Sequence, residues 1–433
     1  MRILKVIHGY PKRYNAGSEV YSQMLCHGLS KSHEVQVFTR EENIFEPDYH
    51  LREEKDELNS KIHLNIINVP GERHKNRYNH LGINNAYSLI VLNFKPQIVH
   101  IGHLNHLSTG IINENLKYKI PTIYTLHDFW LACPRGQFLM RNSNPPFKLC
   151  SGQENQKCAR QCYVGEGGGI DLDKDIERAA DWVKERMDHI RSIVMNVDHF
   201  ISPSMVVAEK VAETLHIPDH KITIMDYGFD HQRLLNRKRH PEKDRAFVFG
   251  YIGTHIPSKG IQDLIKAFSL LDGNYKLRIW GRYHPLYTPY LKELVKSLPE
   301  TLQERISFMG EYANEDIVPE IFNHVDAIVV PSIWYENSPL VIHEAQQVKV
   351  PVIATRLGGM EEYILHDVNG LLFEHRNVQS LSDEMSRLAK DSNLYSRIAN
   401  SGYLFSANSQ IPKMEDHIRE IEEIYKKAIR EKV

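Results

Sequence analysis

Two glutamates stand on either side of a predicted helix start in the segment PSIWYENSPLVIHEAQQVKVPVIAT, residues 331–355. Ser338 is a good N-cap, and Pro339 suits the first helical position because that position needs no backbone N–H. We therefore expect a helix that begins at Pro339, with Glu336 in the loop before it and Glu344 in its second turn. The two carboxylates would then flank the start of one helix.

The free amides at this helix start indicate a phosphate site. Leu340 and Val341 would direct their N–H groups toward the end of the strand predicted at 326–330, and a helix N-terminus in that position suits an anion. A carboxylate beside a phosphate is repelled unless it faces hydroxyl groups instead. A nucleotide sugar satisfies both conditions, with its diphosphate on the amides, its sugar hydroxyls on one glutamate and its ribose hydroxyls on the other.

The elements that must position these groups form two series of one pattern. Short apolar runs alternate with amphipathic segments, first from RILKVIH at 2–8 to KITIM at 221–225, and again from AFVFGYIG at 246–253 to GLLF at 370–373. Apolar strands without a polar face, separated by helices, indicate a parallel sheet covered on both sides. A chain of 433 residues is also too long for one ordinary core, so two domains are expected.

We predict two doubly wound α/β domains joined by a polar segment. The first domain is predicted at 1–225, a linker at 226–246 and the second domain at 247–410. The remaining residues, 411–433, are predicted to form an amphipathic helix whose apolar stripe packs back on the first domain.

Three irregular stretches of the first domain, 40–60, 71–80 and 133–170, are predicted to be surface loops or lids. The basic 71–80 loop is the one that could approach anionic lipids, although a solvated surface loop is the simpler interpretation of its composition. Long insertions of this kind are more often functional than structural.

The third of these stretches contains four of the five cysteines, namely Cys133, Cys150, Cys158 and Cys162. The remaining cysteine lies in the first predicted helix. Four thiols suit a tetrahedral structural zinc site, but their spacing departs from the usual paired two-residue gap. A structural zinc and reduced free thiols are equally open interpretations, and disulfides come third because a cytosolic setting disfavours them.

The composition restricts the partners and the location. A formal net charge of −2 argues against nucleic acid, which calls for clustered Lys and Arg. No apolar run reaches the roughly 18 residues of a bilayer-spanning helix, and the N-terminal apolar run is short for a signal peptide. We expect a cytoplasmic protein, for which a peripheral contact at the inner face of the membrane is compatible but not required.

The ordered motifs resemble glycosyltransferase family 4. The pattern PS-x3-E-x2-P-x4-E-A at 331–345, followed by PVIAT-x2-GG at 351–359, resembles the donor site of that family. The runs PTIYTLHDFW at 121–130 and GYIGTHIPSKG at 250–260 follow the family order too. The resemblance implies the GT-B fold, in which two Rossmann-like domains face each other across a cleft. It also implies a retaining transfer from a nucleoside-diphosphate sugar to an acceptor bound by the first domain.

The resemblance assigns roles to individual residues. Lys259 would bind the leaving diphosphate, Glu336 the sugar hydroxyls and Glu344 the ribose. His127 would lie against the transferred sugar, which makes it the third implied catalytic residue beside Lys259 and Glu336. The other positions implied in donor binding are Gly17, Thr254, Gly310, Glu311, Ser338, Leu340 and Val341.

One position departs from the family pattern. Many members carry an arginine five residues before the lysine, as a second cation for the diphosphate, and this chain has Thr254 there. The leaving charge must then be met by Lys259, by the helix amides and by another cation, for which Arg135, Arg282 and Arg356 are candidates. The resemblance implies no metal cofactor for catalysis. It implies no protein nucleophile either, because in retaining members the departing phosphate deprotonates the acceptor hydroxyl.

The predicted function is metal-independent transfer of a sugar from a UDP or GDP sugar to a hydroxyl of a glycan or lipid-linked acceptor, as in the synthesis of cell-envelope polysaccharide. A sugar-nucleotide 2-epimerase of the same fold is the first alternative, and a non-catalytic sugar-nucleotide-binding relative is another. A nicotinamide dehydrogenase is disfavoured because neither half carries a GxGxxG fingerprint after a strand.

Overall fold

The computed structural model describes residues 1–70, 78–163, 172–238 and 245–432. The chain divides into two compact units, one of Met1–Gly228 with Met414–Val433 and the other of Phe229–Lys413. Three predicted stretches lie partly outside the described residues, namely 71–77 of the basic loop, 164–170 of the cysteine-containing insertion and 239–244 of the linker.

The first unit is built on an eight-stranded sheet. Its strands, with those of a small separate ribbon, are β1 (Arg2–Val6), β2 (Glu34–Glu41), β3 (Leu51–Lys55), β4 (His63–Asn68), β5 (Ile98–Ile101), β6 (Thr122–Thr125), β7 (Leu139–Met140), β8 (Lys148–Leu149), β9 (His199–Ser202) and β10 (Ile222–Ile224). The sheet order is β10-β9-β6-β5-β1-β2-β4-β3, and β7 pairs with β8 in the ribbon. Every pairing in the large sheet is parallel except that of the edge strand β3 with β4.

The C-terminal helix belongs to the first unit, as predicted. It packs on the first helix of the chain so closely that a Cβ on Gly28 would lie 2.1 Å from the Ile418 side chain. The Tyr425 hydroxyl lies 2.6 Å from Nδ1 of the buried His100. The helices of this unit are Gly17–Leu29, Leu81–Phe94, Gly110–Lys117, Asn155–Cys158, Leu172–Val194, Met205–Leu215 and Met414–Lys432.

The prediction of a loop over 40–60 is wrong in part, because β3 (Leu51–Lys55) forms an antiparallel edge strand there. Its sequence, LREEK, carries four charged residues in five and so gives no apolar alternation. Charged side chains are common on edge strands, where they protect the open hydrogen-bonding edge from other chains. The strand is therefore stabilised by its pairing with β4 rather than by burial of its own side chains.

The second unit contains a six-stranded parallel sheet whose order is that of a doubly wound fold. Its strands are β11 (Phe247–Ile252), β12 (Tyr275–Trp280), β13 (Ile306–Gly310), β14 (Ala327–Val330), β15 (Val352–Thr355) and β16 (Leu371–Phe373), in the order β13-β12-β11-β14-β15-β16. Its helices are Ile261–Ser269, Tyr287–Lys296, Glu300–Gln303, Ile317–Glu320, Leu340–Gln347, Gly359–Tyr363, Val378–Lys390 and Ser392–Ser401. Two doubly wound α/β units are thus confirmed.

Among the described residues, no helix has the length and hydropathy needed to span a bilayer.

The strand order of the second sheet reverses between β11 and β14, which are neighbours in the sheet. The connections that leave these two strands run to opposite sides, to β12 and to β15. In a doubly wound sheet, a ligand site is expected at the carboxyl ends of the strands where the order reverses. The apolar layer that holds these strands in place includes Phe249, Ile265, Leu277 and Met385.

Residues 314–323 do not form one continuous helix. The structure has the short helix Ile317–Glu320 between two 3-10 turns, and Ile321, with φ −120° and ψ −65°, interrupts it. Pro319 lacks a backbone N–H, so a continuous helix would lose a hydrogen bond at this point. The predicted linker also differs from expectation, because residues 232–234 form a 3-10 turn that belongs to the second unit.

We expect Tyr425→Phe to lower the unfolding free energy by about 1–3 kcal/mol, because it leaves Nδ1 of the buried His100 without a partner. Tyr290→Phe is the matched control, since Tyr290 is 49% exposed. Urea unfolding followed by circular dichroism measures both. Equal midpoints for the two variants would contradict a stabilising role for the C-terminal helix contact.

Candidate active site

The loop after β11 carries Lys259 to the carboxyl end of the second sheet. Gly260 follows with a left-handed φ of 71°, and a Cβ on it would lie 1.8 Å from the carbonyl oxygen of Pro331. Only glycine therefore allows this loop to approach the loop that follows β14. The backbone N–H of Ile333 donates to the carbonyl of Ser258 at 2.9 Å, which joins the two loops at the point of strand reversal.

Glu336 lies buried in the loop after β14, and three donors converge on one of its oxygens. Oε1 accepts from the Lys259 ammonium at 2.6 Å, from the Trp334 indole N–H at 2.8 Å and from the Ser332 hydroxyl. Within the described part of the chain no donor reaches Oε2, so that oxygen can accept from a ligand hydroxyl. The Lys259 side chain is 27% exposed, so its ammonium is accessible to an anion as well. The structure thus brings together two residues that the sequence predicted separately.

The helix after Glu336 begins one residue later than predicted. Pro339 takes the cap position because its ψ of 114° keeps it extended, and the helix runs over Leu340–Gln347. Ser338, predicted as the cap, is buried immediately before it. Leu340 and Val341 remain the first two helical residues, whose amides have no acceptor within a helix. The predicted anion-binding amides therefore remain at the start of the helix.

Glu344 is buried in this helix and accepts a hydrogen bond from Arg233, whose side chain is buried too. Arg233 Nη1 also donates to the Asn314 side chain at 3.0 Å. Burial raises the pKa of Tyr312, and the nearby Glu344 carboxylate raises it further. The sequence analysis missed Arg233, because it is one of several basic residues in a segment interpreted as a linker. The ribose role of Glu344 stays a prediction.

Thr254 occupies the position where the family often has arginine, and it supplies no positive charge. The Thr254 carbonyl accepts from the Tyr251 hydroxyl at 3.2 Å. The next residue, His255, is buried with Nδ1 3.1 Å from the Thr288 hydroxyl. Burial, together with the nearby positive charge of Lys292, lowers the pKa of His255 to about 4, so the ring is neutral at pH 7. Any further cation for a diphosphate must come from another element.

Gly310 and Glu311, predicted near the base, lie at the carboxyl end of β13. Gly310 has a φ of 88°, and its carbonyl accepts from the Gly281 amide at 2.8 Å. Glu311 is exposed. Both residues therefore lie at the same edge of the second sheet as Lys259, two strands away, and their role stays a prediction.

In the first unit, His127 follows β6 and Gly17 opens the helix Gly17–Leu29. Nδ1 of His127 is 2.6 Å from the Tyr227 hydroxyl, and the two rings stack. Burial lowers the pKa of His127 well below its usual range, and Lys5 lowers it further, so the ring is neutral at pH 7. Nε2 is buried without a hydrogen-bond partner among the described residues. The imidazole therefore has one nitrogen left for a ligand.

Two further imidazole–carboxylate pairs of the first unit were not predicted from the sequence. His103 Nδ1 accepts from the Asn105 amide at 2.9 Å, so Nε2 carries the proton and donates to Asp128 at 3.1 Å. The His8 ring packs against that of His103 with centroids 4.4 Å apart and an angle of 49° between the planes, and His8 Nε2 is 3.4 Å from the buried Glu19 carboxylate. The same Asp128 oxygen accepts from the Trp130 amide at 2.7 Å, and in this position it orients His103. The signal for Glu19 was its place in the first helical turn after Gly17.

The four insertion cysteines lie near one another in the first unit. Cys150 Sγ donates to the Gly152 carbonyl at 3.1 Å. Burial raises the pKa of Cys158 to about 12, and the neighbouring thiols of Cys133, Cys162 and Cys150 contribute to the increase. Among the described residues no three His, Cys, Asp or Glu side chains are placed to hold a metal ion.

Two doubly wound units of this kind define the GT-B class of fold. The sequence model described as Glycosyltransferase Family 4 matches residues 16–233, about half of the chain, and that described as Glycosyl transferases group 1 matches 232–405. The chain belongs to glycosyltransferase family 4.

Individual relatives agree with this assignment. The chain is 24% identical to the capsular polysaccharide biosynthesis glycosyltransferase CapM of Staphylococcus aureus over 47% of its own length and 55% of CapM. It spans about half the length of the first curated relatives that it matches. Sucrose-phosphate synthase of Thermosynechococcus elongatus has the same fold, with TM-score 0.70, 16% identity and 99% of each chain covered. HepE of Anabaena, solved in complex with UDP and glucose, also has this fold. Its TM-score is 0.67 at 17% identity, and the match covers 99% of this chain and 100% of HepE.

We expect Gly260→Ala to destabilise the second unit by at least about 2 kcal/mol more than Gly310→Ala. Both glycines have a left-handed φ, but only at Gly260 would a Cβ meet a backbone carbonyl, whereas nothing lies within 4 Å of a Cβ on Gly310. Thermal unfolding by calorimetry compares the two. Equal losses would mean that the backbone conformation alone, and not the approach of the two loops, accounts for the effect.

Zinc binding by the insertion cysteines stays a prediction that metal analysis decides. If it is correct, purified protein carries about one zinc per chain, and Cys158→Ser loses the zinc whereas Cys26→Ser keeps it. Cys26 is the control because it is buried apart from the insertion, in the helix Gly17–Leu29. Protein without zinc, with four insertion thiols that react with a thiol reagent after unfolding, contradicts the prediction.

Proposed function

We propose that this protein is a retaining glycosyltransferase that moves the sugar of a nucleoside-diphosphate sugar to a hydroxyl of a glycan or lipid-linked acceptor. The observation that carries the proposal is the Lys259–Glu336 pair, with its atoms 2.6 Å apart, at the carboxyl edge of the second sheet. A nucleotide sugar joins an anionic diphosphate to a neutral ring of hydroxyls. The pair provides a cation for the first and a free carboxylate oxygen for the second.

The residues support a dissociative transfer. Cleavage of the bond between the anomeric carbon and the diphosphate oxygen leaves positive charge on the sugar and negative charge on the leaving group. Lys259 and the amides of Leu340 and Val341 stabilise that negative charge. Glu336 holds the sugar through hydroxyl groups and forms no covalent bond to it. A departing phosphate oxygen takes the proton of the acceptor hydroxyl while the acceptor oxygen bonds to the anomeric carbon on the same face, so the anomeric configuration is retained.

The donor and the acceptor are proposed by class. The structure of HepE with UDP and glucose supports a UDP sugar as the first donor to test, with a GDP sugar as the second. The name of the relative CapM supports a polysaccharide acceptor. We place the ribose at Glu344, the base near Gly310 and Glu311, and the transferred sugar against His127. We also propose action in the cytoplasm without a metal cofactor, in peripheral contact with a membrane where the acceptor is lipid-linked.

A sugar-nucleotide 2-epimerase is the second candidate, because the first unit contains the acid–imidazole pairs that such chemistry needs. Glu19 is paired with His8, and Asp128 with His103. The products separate the two functions. A transferase releases nucleoside diphosphate only when an acceptor is present, whereas an epimerase changes the sugar of the nucleotide and releases none.

A nucleotide panel tests the donor class. We expect a nucleoside diphosphate or its sugar to raise the melting temperature, because a ligand that binds only the folded state stabilises it. UDP, GDP and ADP at equal concentration, with the matching nucleosides as controls, are compared by calorimetry. With the identified donor, NMR of the first product should show the donor's anomeric configuration. An inverted product would exclude the retaining mechanism.

We expect Glu336→Gln to lower the transfer rate by roughly 100-fold, because the charged acceptor that orients the sugar and Lys259 is lost. Glu300→Gln is the matched control, since Glu300 is an exposed acid on the same unit. Initial rates and melting temperatures are measured for both. A Glu336→Gln enzyme that is folded and as active as wild type would exclude the proposed site.

A further inference from the structure

The charge at the proposed diphosphate site does not balance with Lys259 alone. The ammonium of Lys259 already pairs with the Glu336 carboxylate at 2.6 Å, so the two groups together carry no net charge. A leaving diphosphate carries at least two negative charges. The neighbouring position offers only Thr254 and the neutral His255. Beside the helix amides, the site would therefore gain from a second cation.

Two of the three candidate arginines are already engaged. Arg135 donates to the Cys162 carbonyl at 2.8 Å in the first unit, and its guanidinium stacks on Tyr163. Arg356, at the carboxyl end of β15, has its Nε 3.4 Å from the Glu374 carboxylate. Each of these two guanidinium groups therefore already has a partner.

The backbone places Arg282 directly beside the loop that carries Lys259. Arg282 follows β12, the neighbour of β11 on the side away from β14. Its carbonyl accepts from the His255 amide at 3.1 Å. The preceding Gly281 packs so closely that a Cβ on it would lie 1.8 Å from the Gly253 carbonyl oxygen. Gly253 and His255 enclose Thr254, so Arg282 extends from the strand end adjacent to the position that lacks a charge.

The guanidinium of Arg282 is also unengaged. The residue is exposed, and no hydrogen bond or ion pair reaches its side chain within the described residues. Arginine offers two parallel N–H groups to a phosphate, and it stays charged at any physiological pH. An exposed arginine next to a site that lacks charge has the chemistry of an anion ligand.

We propose that Arg282 is the second cation of the leaving diphosphate, supplied from the end of β12 in place of a cation at Thr254. This inference rests on the proposed function, because it names a further residue of the same donor site. Arg282 would act with Lys259 and the helix amides, contact the phosphate oxygens directly and stabilise the charge that develops as the sugar departs.

Binding of inorganic pyrophosphate tests the proposal without knowledge of the base. We expect Arg282→Ala to weaken pyrophosphate binding by about 10- to 100-fold in calorimetric titration, because a charge-assisted contact is lost. Arg282→Lys should keep most of the affinity. Arg305→Ala is the matched control, since Arg305 precedes β13 at the opposite edge of the same sheet and donates to the Gly273 carbonyl at 2.8 Å. It should bind as wild type does.

Relocation of the charge gives a stricter test. The double variant Thr254→Arg with Arg282→Ala should regain much of the pyrophosphate affinity that Arg282→Ala loses. Lys259→Ala serves as the reference for the site itself. Wild-type affinity in Arg282→Ala beside a clear loss in Lys259→Ala would overturn the role of Arg282 and leave the proposed function intact. Wild-type affinity in both variants would overturn both.

Discussion

The ion pair between Lys259 and Glu336 is the interaction on which the second unit's site depends. It joins the loop after β11 to the loop after β14, and these strands are neighbours because the strand order reverses between them. A buried carboxylate must be matched by donors, since an unpaired one is costly. Lys259 and Trp334 meet that requirement from two elements at once. The fold and the charge pairing thus determine the same local geometry.

Glycine makes this geometry possible at both neighbouring strand ends. At Gly260 a Cβ would overlap the Pro331 carbonyl, and at Gly281 a Cβ would overlap the Gly253 carbonyl. The loops after β11, β12 and β14 therefore approach one another to backbone contact. Side chains that extend from such loops share one small edge of the sheet. This explains how residues far apart in the chain can serve one ligand.

The sequence predicts most of the frame and only part of the site. Buried strands such as β11 and β14 can be predicted because each is a continuous apolar run. Strand β3 could not be predicted in this way because most of its residues are charged. Lys259 and Glu336 could be assigned to one sheet edge, since loops after parallel strands lie there. Their direct contact could not be predicted, nor could the pairing of Arg233 with Glu344, because no local pattern reports contacts across 77 or 111 residues.

Both glutamates of the proposed donor site already hold a cation, and this constrains any ligand. Glu336 is matched by Lys259, and Glu344 by Arg233. Under the proposed function, a neutral sugar hydroxyl binds to Oε2 of Glu336 without disturbing this charge balance. A diphosphate differs, because it competes with Glu336 for the same ammonium. The proposed site therefore needs no further charge for the sugar, whereas the diphosphate depends on an additional cation or on the backbone amides that begin the helix Leu340–Gln347.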